Sequence, residues 1–300
     1  IGECTGDNTE YMELECALAC QTCEKLDIRH RCPIPPDAKQ AIEPYQLNPL
    51  FERIAYDPQF AQYKPHVLSK PMNSTEQQQQ QQQLADDADG QNDNAILDGP
   101  WVVILDEFLT DEECDTLIQL GADEGYERSK DVGEIQQDGS HNDVESETRT
   151  SHNAWCFERC NNHDITQGVV DRIERITGFP STNSEYLQLL RYEVGQYYDV
   201  HHDYIETDVL IPPGPRSLTV FLYLNDVPKG GATRFSELDI SVQPKKGRAL
   251  IWPSVLNENP LKRDGRTMHT AEPVLEGIKY GANAWLHLRD YKGPDTYECS

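Results

Sequence analysis

His201, Asp203 and His269 are three side chains that could share one metal ion. In the run Tyr197-Tyr-Asp-Val-His-His-Asp-Tyr204, an extended backbone sends successive side chains to opposite faces. His201 and Asp203 then point together, and His202 points away. An imidazole and a carboxylate two residues apart can bind the same ion, with His269 as the candidate third ligand. Two histidines and one carboxylate on one face of an octahedron leave three positions open, which suits non-haem Fe(II) activating O₂. The HxD triplet alone is a weak signal, because most such triplets are ordinary surface or core residues. Its weight depends on the elements around it.

Those elements read as β-rich. Trp101-Val-Val-Ile-Leu105 has the texture of a strand, and Thr110 with Glu113 forms a capping box ahead of a helix carrying Cys114, Leu117, Ile118 and Leu120. Residues 127–148 are polar, acidic and broken by glycine, and predict a mobile loop. Asp164 can cap a second helix whose Ile165, Val169, Ile173 and Ile176 share a face, ended by Gly178-Phe179-Pro180. From Ser184 on, residues 186–194, 217–225, 240–242, 248–252 and 282–289 predict short strands between Gly, Pro and Asp turns. Two helices followed by many strands imply a mainly β fold with flanking helices, a β-sandwich or jelly roll.

Downstream of the triplet stands His269-Thr-Ala-Glu-Pro-Val-Leu-Glu-Gly-Ile-Lys279, then Trp285 and His287. Here the chain resembles the collagen- and plant-type prolyl 4-hydroxylases of the 2-oxoglutarate/Fe(II) dioxygenase superfamily. That pattern has a metal histidine, then Pro-Val and Gly, a lysine at plus ten and a tryptophan at plus sixteen. Upstream, Arg149-Thr-Ser151, Glu185, Tyr192, Gly195-Gln196, Tyr198 and Arg216 also stand at family spacing. The resemblance covers residues 99–291 or so. It implies a double-stranded β-helix core in which His201, Asp203 and His269 hold Fe(II). Lys279 would bind the distal carboxylate of 2-oxoglutarate, as a point charge suited to that oxyanion, helped by Tyr192 and Thr233. The implied reaction uses O₂, with ascorbate as a further cofactor, to hydroxylate prolyl C4 while 2-oxoglutarate is decarboxylated to succinate and CO₂. Arg149, Ser151, Glu185, Tyr198, Arg216, Trp285 and His287 would line the groove for a proline-rich polyproline-II substrate. The 127–148 loop stands where the family carries a flexible lid. Trp252 reads as a core aromatic, and Trp285 as core or groove in equal measure. A dioxygenase acting on another residue such as lysine, and an inactive binding module, are the competing functions.

Composition narrows the partners. Lys plus Arg total 26 against 52 acids, a formal charge of −26 that disfavours nucleic acid and anionic membrane surfaces. No apolar run reaches the ~18 residues needed to span a bilayer. Hydrophobic residues are 37% of the 300, lean for a globular chain, so part of it is expected to lie outside any core. Five of the nine cysteines fall in residues 1–32. That density points to a disulfide-stapled module, with a Cys20-x-x-Cys23 redox motif or a zinc site as rival readings. The stretch resembles the C-terminal part of an ShK-toxin-like domain through Cys4, Tyr11-Met12, Cys16, Cys20 and Cys23. Cys156 and Cys160, in the run WCFERC, favour a short disulfide over a zinc pair. Together these cysteines predict the secretory pathway, in the endoplasmic reticulum lumen or Golgi, and the start at Ile1 suggests a removed leader. The expected organisation is an ShK-like segment (1–32), a partly docked Pro-rich extension (33–72), a disordered Gln/Asp-rich insert (73–98) and the dioxygenase domain (99–295).

Overall fold

The computed structural model describes residues 31–73, 75–76, 97–135, 141–296 and 299. Helix α1 (Leu47–Tyr56) precedes strands β1 (Pro65–Lys70), β2 (Leu97–Asp98) and β3 (Val102–Leu105). Helix α2 (Asp111–Glu124) leads to β4 (Glu127–Arg128), β5 (Lys130–Ile135), β6 (His141–Glu145) and β7 (His152–Trp155). Helices α3 (Glu158–Asn161) and α4 (Asp164–Thr177) open the second half. There follow β8 (Gln188–Tyr192), β9 (Tyr198–His201), β10 (Arg216–Tyr223), β11 (Lys229–Gly230), β12 (Thr233–Phe235) and β13 (Ile240–Val242). Next come β14 (Ala249–Pro253), β15 (Val255–Leu256), β16 (Asn259–Arg263), β17 (His269–Ala271), β18 (Val274–Glu276) and β19 (Lys279–His287). Helix α5 (Lys292–Asp295) ends the described chain apart from Thr296 and Cys299.

Among the described residues, nine strands form one sheet in the order β2-β1-β3-β14-β10-β19-β8-β7-β4, and four form a smaller one, β13-β12-β17-β9. The fold is mainly β with helices along one side, as the sequence pattern implies. Alternation along β10 explains the layers. Leu218, Val220 and Leu222 face the core shared with Phe51 of α1, Leu117 of α2, and Val169 and Ile173 of α4. Phe221 and Tyr223 face the smaller sheet, packing with Trp252, Phe235 and Ala271. The cleft opens on that second face.

Local signals in the sequence account for the helices. Thr110 and Glu113 form the reciprocal capping box. At α4 the cap is His163, whose Nδ1 accepts from the Ile165 amide, with Asp164 as the first helical residue instead of the cap. Gly178 closes that helix at φ +77°, a conformation that favours glycine.

Several expectations change. Strands β5 and β6 pair antiparallel, with Lys130 opposite Glu145 and Ile135 opposite His141, within the stretch whose sequence predicts a mobile loop. The two segments carry only isolated apolar residues, so there was no apolar alternation to detect. Strand β9 falls in the run read as extended, whereas β12 and β17, three residues each and rich in polar side chains, carry no sequence signal. The Pro-rich extension is docked throughout its helix: Phe51 and Ile54 are fully buried, and Arg53 donates to the Ile176 carbonyl at 2.9 Å. Its strand β1 pairs with β3, so the sheet begins upstream of residue 99. Leu97 and Asp98, assigned to the insert, pair in parallel with Ser69 and Lys70. Cys156–Cys160 is the expected disulfide, whereas Cys32 bonds Cys299 instead of a neighbour in its own cluster. Cys114 is the free cysteine among the described residues, and it is buried. The ShK-like residues 1–30 and the glutamine run lie outside the described residues.

Candidate metal centre

The register of the smaller sheet assembles the metal triad. His269, first residue of β17, pairs with His201, last residue of β9, and their rings sit 4.2 Å apart. Asp203 follows two residues on, its Oδ2 3.7 Å from His269 Nε2. One ligand atom from each of the three lies within 4.8 Å of the others. Each imidazole uses Nδ1 to donate to a backbone carbonyl: His201 to Asp199 at 2.7 Å and His269 to Thr267 at 3.0 Å. That fixes the tautomer and leaves both Nε2 atoms as ligands. Thr219 of β10 donates to Asp203 Oδ2 at 2.6 Å and orients the carboxylate. His202 points the other way, to the Asp264 carbonyl and Thr267 Oγ1, as strand alternation requires.

Electrostatics keep the set ready to ligate. Burial, then the neighbouring His269, push the His201 pKa down to about 3, so the imidazole is neutral. Burial opposes ionisation of Asp203, but the two imidazoles and Thr219 outweigh it and hold its carboxyl below the usual range. Two imidazoles and one carboxylate converging from one side form a donor set that fits a divalent transition metal with open positions.

Beside the triad is a cation without a counter-charge. Lys279, first residue of β19 and opposite Tyr192 of β8, is 1% exposed. Its Nζ has no hydrogen-bond partner and lies 5.1–5.6 Å from the ring centroids of Tyr192, Phe221 and Tyr223. Burial pushes its pKa down to about 7, weakly opposed by Glu272. Tyr223 donates to Thr233 Oγ1 at 2.7 Å, so the Thr233 hydroxyl keeps its own proton to give. Tyr192, Thr233, Lys279 and the triad line one small pocket. A buried ammonium in an aromatic box calls for an anion, and a carboxylate-ended molecule reaching from it to the metal answers both needs.

The groove residues fall into two groups. Arg216 and Glu185 form a buried ion pair (Nε–Oε1 2.5 Å, Nη2–Oε2 3.1 Å), and His287 Nε2 lies 2.8 Å from the same Oε1. Arg216 also stacks 3.8 Å over Trp285. Burial alone would raise the Glu185 pKa, but Arg216 and His287 bring it down to about 2. Ser151 is likewise fully buried, beside Ser129. These side chains form the floor of the cleft and not its open surface. Arg149 and Tyr198 are partly exposed at the mouth, the guanidinium 4.9 Å from the Tyr198 ring. Tyr198 stacks on His201 with centroids 3.5 Å apart. Sequence reading did not single out Thr219, although it faces the same way as the cross-strand residue Trp285. Trp252 is core, as expected, and also packs edge-on against His269 at 4.8 Å.

The chain is similar to several known proteins. A family model described as the 2OG-Fe(II) oxygenase superfamily matches residues 187–287. Prolyl 4-hydroxylase 2 of Arabidopsis thaliana is 36% identical over 218 residues, covering 64% of this chain and 69% of that protein. Prolyl 4-hydroxylase 5 of the same plant is 33% identical over 213 residues, covering 64% and 70%. Among solved structures, the 2OG complex of the viral collagen prolyl hydroxylase from Paramecium bursaria Chlorella virus-1 gives a TM-score of 0.48 at 27% identity, covering 63% of this chain and 97% of that one.

Proposed function

Since the chain belongs to the prolyl 4-hydroxylases of the 2OG-Fe(II) oxygenase superfamily, we propose that it hydroxylates C4 of proline in extended, proline-rich polypeptides. His201, Asp203 and His269 hold Fe(II), and Lys279 pairs with the far carboxylate of 2-oxoglutarate, with Tyr192 and Thr233 adding donors. Bound there, iron and 2-oxoglutarate supply the oxidising chemistry from O₂, and the cosubstrate leaves as succinate and CO₂. The protein's own share is binding, orientation and exclusion of water. Thr219 steadies Asp203, and Tyr198 covers His201 on the approach side. The Glu185–Arg216–His287 network keeps Trp285 in place under the peptide. The β5–β6 hairpin serves as the lid over it. Ascorbate would be the reductant that keeps an iron held there ferrous.

The observation that carries this reading is the Lys279 ammonium, buried and unpaired beside the metal triad. Two disulfides, Cys32–Cys299 and Cys156–Cys160, support a home in the oxidising secretory pathway. The test is turnover with Fe(II), 2-oxoglutarate, ascorbate and a panel of proline-rich peptides. Mass spectrometry locates the added oxygen while succinate is measured in parallel. Proline oxidation coupled to succinate is the expected result. Succinate without proline oxidation would redirect the search to another acceptor such as lysine. Neither product from an iron-loaded sample would leave a binding module.

A further inference from the structure

The Cys156–Cys160 loop has no part in the metal site, yet a ladder of aromatic rings joins the two. Trp285 lies opposite Thr219 in the β10–β19 register, and Thr219 holds the Asp203 carboxylate. From Trp285 the rings run outward. Trp155 is 6.1 Å away, Phe157 is 6.0 Å further and nearly parallel to Trp155, and Tyr186 is 5.0 Å beyond. Trp285 is buried and Trp155 and Tyr186 are half-buried, while Phe157 is 45% exposed. The ladder therefore climbs from the cleft floor to open surface.

The sequence spends covalent and conformational resources to hold Phe157 there. The disulfide closes a five-residue loop around it. Cys156 is anchored by its amide to the Leu187 carbonyl at 2.9 Å. The next residue, Glu158, adopts φ +33°, a left-handed conformation that a side chain with a Cβ enters only at a steric cost. Phe157 is thereby fixed at the surface beside two half-buried rings, Trp155 and Tyr186, and the three make a contiguous aromatic patch instead of a lone exposed side chain. The two steps joining Trp155, Phe157 and Tyr186, 6.0 and 5.0 Å, keep the three rings within on the order of 11 Å, the length of about three to four polyproline-II residues.

We propose that Trp155, Phe157 and Tyr186 form an outer docking track for the proline-rich segment that flanks the target proline. This rests on the prolyl hydroxylase reading above and extends it from one residue to a length of chain. Pyrrolidine rings presented by a preformed helix stack on such faces with little loss of conformational freedom.

The test compares two proline-rich peptides, one of about three residues that reaches only the cleft and one of about fifteen that spans cleft and track. The wild-type enzyme should show a KM for the long peptide at least tenfold lower at similar kcat. Phe157→Ala and Tyr186→Ala should each raise the long-peptide KM about 3–10-fold and leave the short-peptide KM and both kcat values unchanged. Phe157→Tyr should restore the wild-type value. Failure of wild type to hydroxylate either peptide would sink the parent reading. A hydroxylated short peptide with no gain from length, or a gain that survives both alanine variants, would overturn the docking track alone.

Discussion

Binding of 2-oxoglutarate should take up a proton, and Lys279 should be where it goes. In the ligand-free protein the Lys279 pKa stands at about 7, lowered by burial among Tyr192, Phe221 and Tyr223. At pH 8 about nine-tenths of the molecules therefore hold a neutral amine, and at pH 6 about one-tenth do. A carboxylate entering the pocket supplies the missing counter-charge and restores the ammonium. Uptake should be close to 0.9 proton per ligand at pH 8, and the dissociation constant should rise about tenfold per pH unit above 7. Anaerobic calorimetry of the iron-loaded protein, in buffers of different ionisation enthalpy, measures the proton directly. Lys279→Arg stays charged and should abolish the uptake. The sign for stability follows from the same shift. Between about 7 and 10.5 the unfolded chain binds the proton that the folded chain lacks, so ligand-free stability should rise with pH across that window. Replacing the lysine by methionine removes that penalty, up to about 5 kcal/mol near neutral pH. Lys279→Met should thus raise the ligand-free melting temperature while weakening 2-oxoglutarate binding at least a hundredfold. Zero proton uptake at pH 8, with a dissociation constant flat from pH 7 to 9, would refute the reasoning.

Other consequences are open to measurement. His269→Ala should lose stoichiometric iron, read by metal analysis, and all turnover, while circular dichroism stays native. Arg216→Ala leaves Glu185 with only His287 beside it and should cost about 3–5 kcal/mol in denaturant melts. In the wild type the Glu185 contribution is present above pH 4.5 and should fade as pH falls toward 2, visible as acid destabilisation that Glu185→Gln lacks. Replacing residues 130–145 by a short Gly-Ser link should raise the peptide KM strongly and leave the 2-oxoglutarate KM in place. With a net charge of −26, basic proline-rich peptides should lose turnover at high salt while neutral ones do not.

The sequence disclosed the chemistry more fully than the elements that carry it. His201, Asp203 and His269 were legible because two-residue alternation and a third histidine at family spacing are statements about side chains. What brings them together, the pairing of β9 with β17, was not legible, since neither four-residue Tyr-Asp-Val-His nor three-residue His-Thr-Ala shows an apolar period. The helices were easier: the box at Thr110 and the stripe from Ile165 to Ile176 are local patterns. Cys32 illustrates the opposite limit. Proximity in sequence grouped it with Cys23, while the fold carries it to Cys299, 267 residues away. Pairings at that range are decided by topology, which no local signal encodes.

Buried polar groups divide in this protein according to whether the chain itself completes them. Glu113 is met by Arg172 on both oxygens and by the Thr110 amide, and Glu185 by Arg216 and His287. Such closed sets hold helices and the cleft floor, and removing one member strands the other. Among the described residues some buried polar atoms lack partners. Several are neutral hydroxyls away from the cleft, as at Ser69 and Tyr126, and the Arg191 Nε belongs to a guanidinium that Glu193 already satisfies. Around the cleft, Arg149 Nε and the indole N–H groups of Trp252 and Trp285, on the strands either side of Thr219, also lack partners, and Lys279 contributes a whole charge. A folded chain gains nothing from burying an unpaired ammonium, which weakens the empty protein at neutral pH. The defect is tolerable only if the protein works with that charge matched. On the proposed function, Lys279 is the charge that a dianionic cosubstrate would match, which is why its proton uptake on binding is the decisive measurement.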